Sequence, residues 1–223
     1  MSAVWPSQGR TKVRSCRSRG NVRMISPRGL RRARIARSAF AAVAIVAVLA
    51  SIVVAPDARG LLGGCLALLM GAIALHDARR FIIPNVLNAA AFALALAHAV
   101  ALDPGAAAEQ VAWAIARAVV AGGVFLAIKL GYRWVRGREG LGMGDVKLAG
   151  VAGAWLDWFA ILVAVELAVL AALGMHLARL AVRKRPLRAA GALPFGLYLA
   201  PAIWVGWLVQ TMMMWWWWRW WWP

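Results

Sequence analysis

Cysteine, histidine and acidic residues are all scarce in this chain. Its 223 residues include two Cys, three His and eight Asp plus Glu. Two cysteines form at most one bridge, so neither a disulfide framework nor a Cys-based zinc site is available. The histidines, His76, His98 and His176, are scattered, and we interpret each as a packed or interfacial residue. The sequence therefore predicts no metal site and no cofactor.

Basic and apolar residues are abundant instead. The chain has 26 Lys plus Arg, a formal net charge of +18 and 63% hydrophobic residues. This apolar content excludes a disordered basic protein and is rarely reached by a soluble nucleic-acid binder. Long apolar stretches with clustered Arg are typical of an integral membrane protein whose charges lie in its loops. We therefore expect membrane lipid as a partner and no specific nucleic acid.

The two ends of the chain differ in composition from its middle. Residues 1–37 contain eleven Lys or Arg and no acid, which predicts a disordered, basic cytoplasmic arm that touches anionic lipid headgroups. Residues 215–223 contain seven Trp around Arg219, and because indoles prefer the membrane–water interface we predict an interfacial tail. Residues 38–214 remain as the transmembrane domain.

Seven apolar segments divide this domain, and we predict a helix for each. The fifth, Asp145–Leu156, covers only about 18 Å as a helix, less than the roughly 30 Å core of a bilayer. The other six are long enough to cross: Ser38–Ala55, Gly60–His76, Val86–Leu102, Val111–Tyr132, Trp158–Leu177 and Leu193–Met214.

The distribution of charge favours a crossing by the short segment as well. With the N-terminal arm in the cytoplasm, the loops that carry Arg79–Arg80 and Arg133–Arg138 lie inside. A further loop, within 179–188, carries five basic residues. It lies on the cytoplasmic side only if the fifth segment also crosses the membrane, and the positive-inside rule favours that arrangement. The predicted fold is thus an all-α, polytopic membrane helix bundle of about seven transmembrane helices with a short fifth one.

Two aspartates lie at the predicted inner ends of these spans. Asp77 ends the second span and Asp145 opens the fifth. Acidic groups near a bilayer are costly and are candidates for function, although each could be an ordinary interfacial residue, with Asp145 an N-cap. Two carboxylates brought together in a partly dry site share one proton. One is then a base and the other an acid, which is the arrangement of aspartyl proteolysis.

The residues around the two aspartates support this interpretation. Gly142 and Gly144 have no side chains, so backbone or substrate can approach Asp145 closely. Pro84 suits the first turn of the third span. Asp145 lies at a helix N-terminus, which favours a carboxylate, whereas Asp77 lies at a C-terminus. We therefore predict that Asp145 is the ionised base and Asp77 the proton holder, in a pair that titrates as a unit.

These motifs resemble those of one family. The pattern Asp77-x6-Pro84-Asn85 followed by Gly142-x-Gly144-Asp145-Val146-Lys147 is similar to that of the type IV prepilin peptidases, which are GxGD-type intramembrane aspartyl proteases. The turn Leu193-Pro194-Phe195-Gly196 also resembles theirs, and the likeness covers about Gly60 to Gln210.

The resemblance implies an activity and its residues. Asp77 and Asp145 would be catalytic, supported by Pro84, Asn85, Gly142, Gly144 and Lys147. The family cleaves, without a metal, a short basic leader from prepilin-like proteins at the cytoplasmic face of the bacterial inner membrane. Large members use paired Cys-x-x-Cys motifs for N-methylation, and none occurs here. The chain is thus similar to the short, peptidase-only members that serve tight-adherence (Flp-type) pili.

Two other functions remain open, as does the oligomeric state. The chain could be a non-enzymatic subunit or scaffold of a pilus or secretion assembly, or a small transporter. A transporter places its polar groups near the midplane, whereas the two aspartates lie at one face. Elsewhere, Glu166 and Arg117 lie at similar predicted depths, so we expect them to form a structural ion pair.

Overall fold

In the part of the chain that its computed structural model describes, the regular structure is helical and no strand occurs. That part comprises the backbone of residues 27–183 and 194–221 and the side chains of residues 38–181 and 194–214. A short 3₁₀ turn, Pro104–Ala106, precedes the fourth helix. The helices are α1 (Pro27–Val54), α2 (Ala58–Arg80), α3 (Asn85–Leu102), α4 (Ala107–Arg136), α5 (Met143–Trp155), α6 (Trp158–Arg183) and α7 (Gly196–Trp221).

Five of these helices are long and apolar enough to cross a membrane: α2, α3, α4, α6 and α7. The described apolar part of α1, Ser38–Val54, is shorter, and α5 has only 13 residues. Each of the seven predicted segments corresponds to one helix, although α1 begins at Pro27 and not Ser38, and α7 continues to Trp221 and not Met214. The predicted all-α, polytopic membrane bundle with a short fifth helix is confirmed.

The chain divides into two units, Met1–Ala39 and Phe40–Pro223. In the first unit the described backbone is helical from Pro27, so the last part of the predicted disordered arm is helical instead. Proline is well suited to the first position of a helix, and the Arg, Ala and Leu that follow are good helix formers. Residues 1–26 lie outside the described residues.

Two further predictions fall on residues that the structure does not describe. The basic loop after α6 lies largely within residues 184–193, and only the backbone of the Trp-rich tail is described, as helix as far as Trp221. The interfacial position of that tail therefore stays a prediction.

The short helix α5 occupies the centre of the second unit. Nine of its thirteen residues are buried, and it packs mainly against α4, with further contacts to α3 and α7. A helix whose apolar residues are spread around its circumference is normally enclosed by other helices. This explains why α5 shows no amphipathic pattern and why other helices surround it.

Three aromatic rings, those of Trp155, His98 and Trp207, connect α5, α3 and α7. The Trp207 indole N–H on α7 donates to Nε2 of His98 on α3, with an N···N distance of 3.1 Å. The Trp155 indole stacks near His98, with ring centroids 4.7 Å apart, and donates to the Ala91 carbonyl at 3.0 Å. Each buried polar ring atom in these contacts thus has a partner, as buried indoles normally require. His98 is a packed residue, as predicted.

Candidate active site

Asp77 lies in the last turn of α2, immediately before a sharp reversal of the chain. The helix is closed by Phe81, whose φ of 54° is left-handed and whose N–H donates to the Asp77 carbonyl at 2.9 Å. Pro84, with φ of −62° and an extended ψ, directly precedes α3, where the pyrrolidine ring favours this φ. The intervening Ile83 is buried and packs beside Gly144 and Gly196.

Asp145 lies in the first turn of α5, where its side chain caps the helix. Its Oδ2 accepts a hydrogen bond from the Gly142 backbone N–H, with an N···O distance of 3.3 Å. This is the contact that an acidic residue at the third helical position makes in a capping box. A Cβ atom on Gly144 would lie 3.1 Å from the Ile83 Cβ. The glycine therefore lets the link after α2 pass close to the start of α5.

The two carboxylates meet beside Gly196, the first residue of α7. A Cβ atom placed on Gly196 would lie 3.0 Å from Oδ2 of Asp77 and 3.2 Å from Oδ1 of Asp145. The two oxygens are therefore no more than about 6 Å apart, the range within which one carboxylate affects the ionisation of another. Both residues are buried, at 5% and 8% exposure. The structure thus brings together two acids that lie far apart in the sequence.

The start of α7 also supplies a hydrogen-bond donor to this site. The Leu197 backbone N–H donates to Oδ2 of Asp77 at 2.9 Å. Asp77 therefore lies at the C-terminus of its own helix and at the N-terminus of another, where the helix dipole favours a negative charge. The sequence argument considered only α2, so the assignment of base and proton holder stays a prediction.

The remaining motif residues lie around this pair. Lys147 Nζ donates to Oδ1 of Asn85 at 2.8 Å, which joins the first turn of α3 to the second turn of α5. Lys147 is two residues beyond Asp145, and at about 100° per residue the two side chains leave α5 on opposite sides. The Lys147–Asn85 pair thus aligns two helices behind the carboxylates rather than touching them.

The loop before α5 is held against the end of α4 by contacts that sequence reasoning missed. Glu139 pairs with the buried Lys129, with an N···O distance of 3.8 Å, and with Arg133 at 3.7 Å. A Cβ atom on Gly140 would lie 2.6 Å from the Tyr132 ring, so this ring packs directly on the loop. The sequence did carry a signal for this contact. Lys129 and Arg133 are spaced i, i+4 and so lie on one face of α4, and the acid Glu139 follows in the loop.

Gly196 and Leu197 make the other contacts with the aspartates that the sequence did not predict. The motif Leu193-Pro194-Phe195-Gly196 indicated a turn before the last span, but no role for it followed from the residues. Both contacts to the aspartates come from backbone geometry at the start of α7. A side-chain motif carries no direct signal for such contacts.

The predicted ion pair between Glu166 and Arg117 is wrong. Arg117 Nε donates instead to the Gly153 carbonyl at 3.3 Å, and Glu166 is exposed on α6. The reason is the packing order of the helices, because α4 packs mainly against α5 whereas α6 packs mainly against α7. Similar depth along the membrane normal does not make two residues neighbours.

The described residues contain no group of three or more His, Cys, Asp or Glu side chains that could hold a metal ion. The paired carboxylates of Asp77 and Asp145 can serve as an acid and a base. Together with the fold, this pair defines the class: a helical membrane protein with two buried aspartates at one end of its bundle.

Comparison with known proteins identifies the family. The sequence pattern of the type IV leader peptidase family matches residues 64–177. Leader peptidase HopD of Escherichia coli is 34% identical over 149 residues, which cover 66% of this chain and 90% of that protein. This chain belongs to the type IV leader peptidase family.

Two other relatives show how the likeness is distributed. Leader peptidase HopD of Salmonella typhimurium is 38% identical over 102 residues, covering 45% of this chain and 65% of that protein. The prepilin leader peptidase/N-methyltransferase of Aeromonas hydrophila is 35% identical over 77 residues, covering 34% of this chain and 26% of the relative. No solved structure gives a significant match.

Proposed function

We propose that this chain is a membrane aspartic endopeptidase that removes the leader peptide of type IV prepilin-like proteins. It acts at the cytoplasmic face of a bacterial inner membrane, with Asp77 and Asp145 as its catalytic pair. The observation that carries this proposal is the meeting of the two carboxylates beside Gly196. Family membership and the names of the relatives, leader peptidase and prepilin leader peptidase, support the reaction and the substrate class.

In this mechanism the two carboxylates hold one proton and activate a water molecule between them. Oxygens no more than about 6 Å apart are within reach of one water that hydrogen-bonds to both. The ionised carboxylate takes a proton from the water, and the resulting hydroxide attacks the scissile carbonyl carbon. The protonated carboxyl donates its proton to the developing oxyanion. The first carboxyl, which now holds the proton from water, passes it to the leaving nitrogen as the C–N bond breaks. The second takes back a hydroxyl proton as the carbonyl re-forms, so the pair again holds one proton. The Gly142 and Leu197 N–H groups orient the two acids throughout.

The charge around the site supports its cytoplasmic position. Arg79 and Arg80 follow Asp77 in the last turn of α2, and Arg133 and Arg136 lie in the last turn of α4, just before the loop to Asp145. Clustered basic residues mark cytoplasmic loops. The leader of a prepilin, which stays in the cytoplasm, then reaches the same end of the bundle as the two acids.

Peptidase activity alone is proposed, without methyl transfer. The chain covers only 26% of the bifunctional Aeromonas hydrophila relative, and its sequence has no Cys-x-x-Cys motif. We therefore do not propose N-methyltransferase activity for this chain.

Co-expression with a prepilin tests the catalytic pair. Wild-type protein converts the prepilin to a shorter mature form, visible as a mobility shift, whereas Asp77→Asn and Asp145→Asn each abolish the conversion. Asp103→Asn is the matched control, because Asp103 is an exposed acid that caps the 3₁₀ turn, and asparagine caps equally well. Full processing by both variants at wild-type expression in the membrane removes the proposal and favours a non-enzymatic scaffold.

A further inference from the structure

A groove between α3, α4 and α5 is not used by the proposed reaction. Its volume is about 440 Å³, within the range of small-molecule sites. Its deeper part is apolar and includes Phe92, Ile115 and Val151, and its upper part includes Asn85, Asn88 and Lys147. The lining residues on α5 lie on the side of that helix opposite Asp145. The groove is therefore separate from the paired carboxylates.

Asn88 is the feature that calls for a ligand. It is only 5% exposed, and neither its Nδ2 nor its Oδ1 has a hydrogen-bond partner. A buried amide without partners costs roughly 1–3 kcal/mol, so such groups are normally paired. Both amide atoms are covered in this conformation, so a polar group seated in the groove that Asn88 lines pairs with the amide after a rotation of the Asn88 side chain.

The polar groups follow an order that fits a phospholipid. Lys147 and Asn85 form the exposed mouth at the ends of their helices, where a lysine meets the headgroup region. Asn88 lies about one helical turn deeper and Phe92 about one turn deeper again. A phospholipid presents the same order of groups, with a phosphate at the surface, ester carbonyls below it and acyl chains below those.

We propose that this groove binds one anionic phospholipid, with its phosphate at Lys147, its ester carbonyls at the Asn88 amide and one acyl chain along Phe92, Ile115 and Val151. Lys147 is the only charged residue that lines the groove in the described part of the chain. An anionic headgroup is favoured for that reason. The site goes beyond the proposed peptidase activity and does not depend on it.

Native mass spectrometry of the purified full-length chain tests this site. The protein is titrated with phosphatidylglycerol or with zwitterionic phosphatidylcholine of the same acyl chains. We expect wild-type protein to retain one phosphatidylglycerol about fivefold more tightly, the effect of roughly 1 kcal/mol for one lysine near the membrane surface. Equal retention of the two lipids by the wild type overturns the proposal.

Three variants separate the parts of the site. Lys147→Met reduces binding of phosphatidylglycerol to the level of phosphatidylcholine, and Asn88→Leu weakens binding of both lipids. Ala89→Trp blocks the groove from an exposed position and removes the bound lipid without filling the core. This third variant keeps the test decisive if Asn88→Leu does not fold.

Arg80→Met provides the matched control. Arg80 is an exposed cation at the end of α2 and does not line the groove. We expect its lipid binding to equal that of the wild type. If Arg80→Met loses as much phosphatidylglycerol as Lys147→Met, or if Ala89→Trp retains the lipid, the binding is general surface attraction and the proposed site does not exist.

Discussion

At the scale of single residues, the site depends on a position without a side chain. Gly196 lies beside both carboxylates and beside Ile83, whose Cδ1 would be 2.7 Å from an added Cβ. Real Cβ atoms do not approach a neighbour so closely, so any larger residue must move Ile83 or the carboxylates. The glycine therefore keeps open the space beside the two acids, where the proposed mechanism places a shared water.

We expect Gly196→Ala to lower prepilin cleavage by on the order of tenfold. The carboxylate contacts at 3.0 and 3.2 Å must open by a few tenths of an ångström, which is less than the displacement of about 1 Å that costs roughly 100-fold. Cleavage rates in membranes with matched amounts of enzyme measure this. The control is Gly123→Ala, because a Cβ on Gly123 meets no atom within 4 Å. Equal rates for Gly196→Ala and the wild type would show that the space beside the aspartates is not needed.

At the scale of helices, the bundle is held together by close contacts between small and large residues. The Trp207 ring on α7 packs directly on Gly63 of α2, where an added Cβ would overlap the ring. The same ring hydrogen-bonds to His98 on α3. This contact sets the distance between α2 and α7, the two helices whose ends bring Asp77 to Leu197.

Gly63→Ala should therefore destabilise the protein, since overpacking of a buried contact costs about 1–3 kcal/mol. Thermal unfolding in a fixed detergent, followed by circular dichroism, measures the change in midpoint. Gly174→Ala on α6 is the comparison, because a Cβ there meets no atom within 4 Å. Its midpoint should match or slightly exceed that of the wild type, since alanine is the better helix former. An unchanged midpoint for Gly63→Ala contradicts the packing argument.

At the scale of the whole molecule, orientation in the membrane decides which substrates reach the site. The basic clusters at the ends of α2 and α4 predict that the aspartates face the cytoplasm. The turn at Asp103–Ala106, at the other end of α3, then faces outward. The short α5 is compatible with this arrangement because other helices enclose it.

Cysteine labelling in intact cells tests this orientation. In a chain whose two native cysteines are replaced by serine, a membrane-impermeant maleimide should label Gly105→Cys but not Arg138→Cys. Permeabilised cells should show both. The reverse pattern in intact cells would place the aspartates on the outer face, where the leader of a prepilin does not lie.

Much of this architecture was predictable from local signals. Apolar segments separated by Gly, Pro and charged residues indicated all seven helices, because a membrane span has the same requirements wherever it lies. The two aspartates were also identified locally, from their position at helix ends and their neighbouring motifs. The pairing of Glu166 with Arg117 failed because depth was inferred without knowing which helices are neighbours.

The sequence by itself determined that the chain forms a membrane bundle of helices and that two acids lie at the same end of it. Those properties follow from hydropathy and charge, which act residue by residue. Only the tertiary structure decided that both carboxylates converge on the start of α7, that Lys147 donates to Asn85 on α3, and that Asn88 lines a groove without a hydrogen-bond partner. These contacts join residues far apart along the chain, so they depend on how the helices pack against one another.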